Sequence, residues 1–149
     1  VDPDCAWCHA QYGGSLGNRG DLAAAIPHLR RAAELRPHRA GYHASAGLAL
    51  LRSGRAAESL PYLERAVAAQ PANLDATTNL GLALLDLGRP ADALPHLERA
   101  YLARPAAPEL LAGLVHAHRA LGNAAAADTQ LAALRRLNPA AAGRITPAR

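Results

Sequence analysis

The chain has no phenylalanine, no methionine and no lysine, and a single tryptophan among its 149 residues. Aromatic and β-branched residues, the usual strand formers, are scarce, while alanine and leucine are abundant, so closely packed helices are expected rather than sheets. With lysine absent, the net charge of +4 comes from 16 arginines against 12 acids. These charges are dispersed, with no basic stripe interleaved with aromatics, which argues against a nucleic-acid partner. No apolar run is long enough to span a membrane. No Ser/His/Asp or paired-carboxylate arrangement suggests hydrolytic catalysis, and the chain is not read as an enzyme. The length suits one domain, 1–149, with a modest core.

An internal period organises what is present. Pro37, Pro71, Pro105 and Pro139 are 34 residues apart, as are Gly20, Gly54, Gly88 and Gly122. The same interval relates Leu29, Leu63, Leu97 and Leu131, and also Gly13, Gly47 and Gly81. Leu80, Leu84 and Leu87 fall at helical spacing, as do Leu94, Leu97, Tyr101 and Leu102, which gives two amphipathic helices per unit. A mid-unit glycine permits the turn, Asp21 or Pro90 opens the second helix, and the closing proline stops it. Pro27, Pro61 and Pro95 break a local rule by recurring inside the second helix, where a tolerated bend is expected.

This pattern resembles the tetratricopeptide repeat, a 34-residue helix–turn–helix unit, over roughly residues 5–139. Gly47, Gly54, Ser59, Leu63, Ala66 and Pro71 carry the resemblance, and Gly81, Gly88, Ala93, Leu97, Ala100 and Pro105 repeat it. It implies an all-α, right-handed solenoid of four units, approximately 5–37, 38–71, 72–105 and 106–139, followed by a tail, 140–149. The fourth unit departs from the pattern, with Val115 for glycine and His118 for leucine.

Both cysteines fall in Cys5-Ala6-Trp7-Cys8-His9, which spells CxxCH, the c-type haem attachment motif. Thiols at that spacing lie on one side of a helical turn and can bond two porphyrin vinyl groups, with His9 as proximal ligand. The expected cofactor is haem c, on Cys5 and Cys8, with Gly13, Gly14 and Gly17 thinning a helix face against which the porphyrin lies. Three other readings of the pair stay open. A redox dithiol usually sits in a βαβ context, half a zinc site would need distant histidines, and a disulfide is strained by this spacing on a helix.

Without methionine or lysine, the second axial position is left to another histidine, to no ligand at all, or to a less usual one such as tyrosine. His43, one repeat beyond His9, is the first choice, and His118 and His116 are alternatives from the same chain or a neighbouring copy. His28 and His96 read as solvent-facing, and His38 falls in a turn between units. The leading functional expectation is an extracytoplasmic monohaem cytochrome on a tetratricopeptide scaffold, transferring electrons between redox partners. The alternatives are a protein–protein interaction module with an incidental or redox CxxC, and a haem sensor with an open distal site. The start at Val1 and the haem motif suggest a processed chain exported to the periplasm or beyond. Because the tail looks too short and too broken for a capping helix, head-to-tail stacking into a homopolymer is expected.

Overall fold

The computed structural model describes residues 2–145, so Val1 and the tail residues 146–149 lie outside the described residues. Nine helices and no strand occur among the described residues: α1 (Ala6–Asn18), α2 (Leu22–Leu35), α3 (Ala40–Arg52), α4 (Ala56–Ala69), α5 (Leu74–Asp86), α6 (Pro90–Ala103), α7 (Pro108–Ala120), α8 (Ala124–Leu137) and the short α9 (Pro139–Gly143). The first eight pack as pairs, α1 on α2 through α7 on α8, and each second helix also contacts the next first helix. Successive first helices pack closely backbone to backbone, whereas successive second helices stand farther apart. The first helices therefore line the inner face of the curve, and the second helices fan out along the outer one.

The periodic residues make the same contacts in each unit. Gly20, Gly54, Gly88 and Gly122 all have positive φ, between 68° and 87°, the left-handed conformation in which a side chain is strained. The residue after each glycine donates its N–H back to the carbonyl of Leu16, Leu50, Leu84 or His118 and closes the turn. A Cβ on Gly13, Gly47 or Gly81 would come within 2.8, 2.6 or 2.7 Å of Leu29, Leu63 or Leu97. Those glycines let the paired helices approach closely, and Leu63 and Leu97 are fully buried in the seam. Gly13 thus serves helix packing, the role expected of a porphyrin seat being filled by Leu29.

Pro27, Pro61 and Pro95 lie inside α2, α4 and α6 without interrupting them. All three are exposed, and so are Ala23, Ala57 and Ala91, the residues four positions earlier whose carbonyls lose a donor. Exposure at these positions leaves room for solvent at the freed carbonyls, which would reduce the usual penalty for an interior proline.

Neighbouring units are also stitched by arginines. Arg99 of α6 donates to the Pro71 carbonyl and lies 3.3 Å from Thr77 Oγ1, and Arg104 reaches Asp75 at 2.8 Å. Arg31, two repeats before Arg99, donates to the carbonyl of Pro3 at 3.2 Å, so the proline series extends back to Pro3. Arg30 of α2 crosses to Glu58 of α4 at 2.6 Å, and Arg55 also holds that carboxylate. These two guanidinium groups lower the Glu58 pKa to about 2.

The tail corrects an expectation. Residues 139–143 form α9, capped by Asn138, whose Oδ1 accepts from the Ala141 N–H at 2.9 Å, with Pro139 in its first turn. Ala142 and Ile145 are buried against Leu111, Val115, Ala127, Leu131 and Leu134. The apolar end of the α7–α8 pair is therefore covered by the chain itself. Among the described residues, the terminal face that motivated head-to-tail stacking is occupied by α9 and Ile145. At the other end, Ser15 is exposed where the later units bury Ala49, Ala83 and Ala117, so the outer side of α1 is more polar than its counterparts.

Candidate functional site

Cys5 is the N-cap of α1, with extended backbone angles (φ −90°, ψ 91°), and its sulfur accepts the Cys8 N–H at 3.1 Å. Because Cys5 stands outside the helix, its side chain can swing over the first turn, and Cys5 and Cys8 form a disulfide with Cα atoms 5.2 Å apart. A spacing of three strains a disulfide only where both cysteines are helical, and Cys5 lies outside the helix.

The histidines expected around an iron are turned to other partners. His9 is buried, and its Nδ1 lies 2.9 Å from Nδ1 of His28 on α2, with the rings 5.1 Å apart. The edge of Tyr12 packs on the same His28 ring at 4.9 Å. His43 is almost fully buried, with Nε2 2.9 Å from the Pro37 carbonyl and its ring 6.0 Å from Tyr62 of α4. His28 and Tyr62 are themselves one repeat apart. His9 and His43 therefore each address the second helix of their own unit. Residues related by a repeat translation point the same way and do not face each other, so His43 does not complete a site with His9. His118 is buried at the end of α7 with Nδ1 unpartnered, His116 is exposed on that helix, and His38 is exposed in its turn.

Haem c is accordingly withdrawn as the cofactor. Both thiols are consumed by their mutual bond, the proposed axial pair is split between separate contacts, and no group of three or more His, Cys, Asp or Glu among the described residues could hold a metal ion. The cytochrome and haem-sensor readings fall with it. Gly14 and Gly17, expected beside the porphyrin, instead line a small depression of 110 Å³ with Leu48 and Arg52.

His28 and His96 are half-buried, not solvent-facing. Burial, and then the neighbouring His9, hold the His28 pKa below its ordinary value. The unfolded chain then binds that proton more readily than the folded one. Stability should be fully present above the unfolded value of 6.5 and decline as pH falls below it. Urea midpoints measured at about pH 7.5 and about pH 5.5 should fall in acid, and His28→Asn should shrink the difference. An equal drop in the variant would remove His28 as the cause.

One groove lies on the inner face. It has a volume of 740 Å³ and runs between α5 and α7, over Leu82, Leu85, Ala112 and Gly113. Leu48 and Leu82 are one repeat apart, as are Leu51 and Leu85, so α3 and α5 present matched leucines toward this face. Leu48 is exposed, and the other three are only partly buried. The repeat interval relates these leucines too, but the inner surface of a solenoid carries the same helical spacing as its core, so periodicity alone does not separate the two. A second groove, 570 Å³, opens toward the outer side between α4 and α6. A third, 510 Å³, lies beside Cys5 and is rimmed by Trp7, Arg36 and Arg39.

Comparison with known proteins agrees with the repeat geometry. A tetratricopeptide repeat family model matches residues 13–74 and 44–110, and another matches 84–144. No curated protein sequence matches the chain. Among solved structures, YrrB, described as a TPR protein with an unusual peptide-binding site, is 25% identical, with a TM-score of 0.79 over 93% of this chain and 71% of that one. MamA from Desulfovibrio magneticus RS-1 (residues 41 to the end) is 22% identical, with a TM-score of 0.81 over 96% of this chain and 79% of that one. A further MamA structure, 19% identical, has a TM-score of 0.81 and covers 99% of this chain and 81% of that one. The MamA likenesses speak for the fold alone. Tetratricopeptide folds are in general binding and scaffolding modules, not enzymes, and among the described residues no helix is long and apolar enough to cross a membrane. With the family models spanning most of its length and the 34-residue contacts recurring from unit to unit, this chain belongs to the tetratricopeptide repeat family.

Proposed function

We propose that the protein is an interaction module whose inner, first-helix face binds a peptide segment of a partner protein. One observation carries this reading. Successive first helices form a continuous face on which Leu48 and Leu82, and Leu51 and Leu85, recur one repeat apart with part of their surface open, beside a groove of 740 Å³. Leu51, Leu82 and Leu85 pack against the core yet leave part of their apolar surface open along the groove, and such grooves are where amphipathic or extended segments dock. YrrB, similar over most of this chain, is described as having a peptide-binding site, and a peptide is the class of ligand proposed here. On this reading the Cys5–Cys8 bond ties down the start of α1 and is incidental to binding. It suits the periplasmic or extracellular setting expected of the sequence, where disulfides persist. Head-to-tail stacking of copies would require α9 to leave its seat, and peptide binding does not depend on it.

Peptides selected from a random displayed library on the wild-type protein test the reading. Binding should be lost in Leu48→Asp and Ala112→Asp, on the inner face, and kept in Glu64→Arg and Glu98→Arg, on second helices. Loss confined to the second-helix variants would place binding on the outer face and contradict the proposal.

A further inference from the structure

We infer that the groove between α5 and α7 selects a peptide carrying aliphatic side chains flanked at both ends by arginine or lysine. This rests on the inner-face reading and adds the chemistry of the ligand. The protein has a net charge of +4 and 16 arginines, yet no arginine lines this groove. Its formally charged lining residues are Asp86 and Glu109. Both are exposed, and neither appears in an ion pair among the described residues. The equivalent of Glu109 one unit earlier, Asp75, is already neutralised by Arg104 at 2.8 Å. The equivalent of Asp86 one unit earlier is Arg52, which reaches back to the Gly17 carbonyl. The acidic pair is thus particular to this groove and not a property of the repeat.

The two carboxylates stand at opposite ends. Glu109 is in the first turn of α7, and Asp86 ends α5, whose last turn lies beside the last turn of α7. At 1.5 Å of rise per residue the separation along the helices is roughly 16 Å, about the reach of a five-residue extended segment. Between them the floor is Leu82, Leu85, Ala112 and Gly113. Gly113 stands where the earlier units have Gln11, Ser45 and Asn79, so no side chain rises over the leucines, and a Cβ there would already meet Leu82 at 3.0 Å. An apolar floor between two uncompensated carboxylates matches an aliphatic segment with cationic ends, and repels one with acidic ends.

Fluorescence anisotropy with three capped, labelled peptides tests this: leucines between arginines, between glutamines, and between glutamates. At low salt the arginine-flanked peptide should bind about tenfold more tightly than the glutamine-flanked one, and added salt should erase the difference. Asp86→Lys/Glu109→Lys, whose side chains hold no other element in place, should keep its melting temperature and reverse the order in favour of the glutamate-flanked peptide. Equal binding of arginine- and glutamine-flanked peptides, or arginine-flanked binding that survives the double reversal, overturns the inference. A glutamate-flanked peptide that binds the wild type best and is lost in Ala112→Asp would also overturn it, while leaving the inner face as the binding surface. Failure of all three to bind overturns it as well, and the library selection then judges the broader reading separately.

Discussion

Gly47→Ala should destabilise the protein, although alanine is favoured over glycine inside a helix by about 1 kcal/mol. The added Cβ would stand 2.6 Å from Leu63 Cγ and 2.7 Å from Cδ2. Leu63 is fully buried between α3, α4 and α5 and has nowhere to retreat, so the helices must part. Overpacking of this kind costs roughly 3 kcal/mol at the upper end, which leaves a net loss of about 2 kcal/mol after the helix preference is subtracted. Leu63→Ala alone should cost about 2–5 kcal/mol by opening a cavity at the same place. In that background the sign of Gly47→Ala should invert, because the clash is gone and only the helix preference remains. Urea unfolding of the four proteins in the cycle measures this. A destabilising Gly47→Ala in both backgrounds would mean that the glycine is needed for something other than its approach to Leu63.

Ile145→Asp should undo the cover on the last helix pair. Ile145 is buried with Ala142 over Leu111, Val115, Leu131 and Leu134. Burial of such a side chain is worth about 1.5–3 kcal/mol, and a carboxylate cannot replace it in that seat. The five-residue α9 has few other contacts to hold it. Its release would expose the apolar face that a following repeat would otherwise meet, and end faces of this kind associate. Light scattering across a concentration series should show a variant that self-associates more strongly than the wild type. A variant as monodisperse as the wild type, with the same melting temperature, would show that α9 does not cover this end in solution.

These two effects differ in how far the sequence foretold them. The Gly47–Leu63 contact belongs to two series visible at the 34-residue interval, and the structure joins the series into one seam. The helix starts at Asp21 and Pro90 were equally legible, because capping and proline preferences act locally. The helix α9 was missed because its glycine and prolines outweighed a signal that was present. Asn138 followed by Pro139 is an N-cap and first-turn pair, and what makes so short a helix persist is tertiary burial of Ala142 and Ile145.

The candidate site was read less well, and for a different reason. CxxCH is a statement about spelling, whereas the state of two thiols depends on where the helix begins. With Cys5 as the N-cap, the pair closes on itself. The period that singled out His43 as a mate for His9 also fixes both side chains in parallel orientations, toward His28 and Tyr62. Translation symmetry finds equivalent residues well and facing residues poorly. The groove between α5 and α7 depends on departures from the repeat, Gly113 and Asp86 among them, which a search for regularity passes over.

Intact-mass and absorption measurements on protein purified from its natural source test the central claim most directly, that this is a disulfide-closed interaction repeat. The expected mass under denaturing, non-reducing conditions is that of the polypeptide less two hydrogens, with Cys5 and Cys8 alkylated only after reduction and no Soret band. A mass increased by one porphyrin, with both cysteines resistant to alkylation even after reduction, would contradict the account.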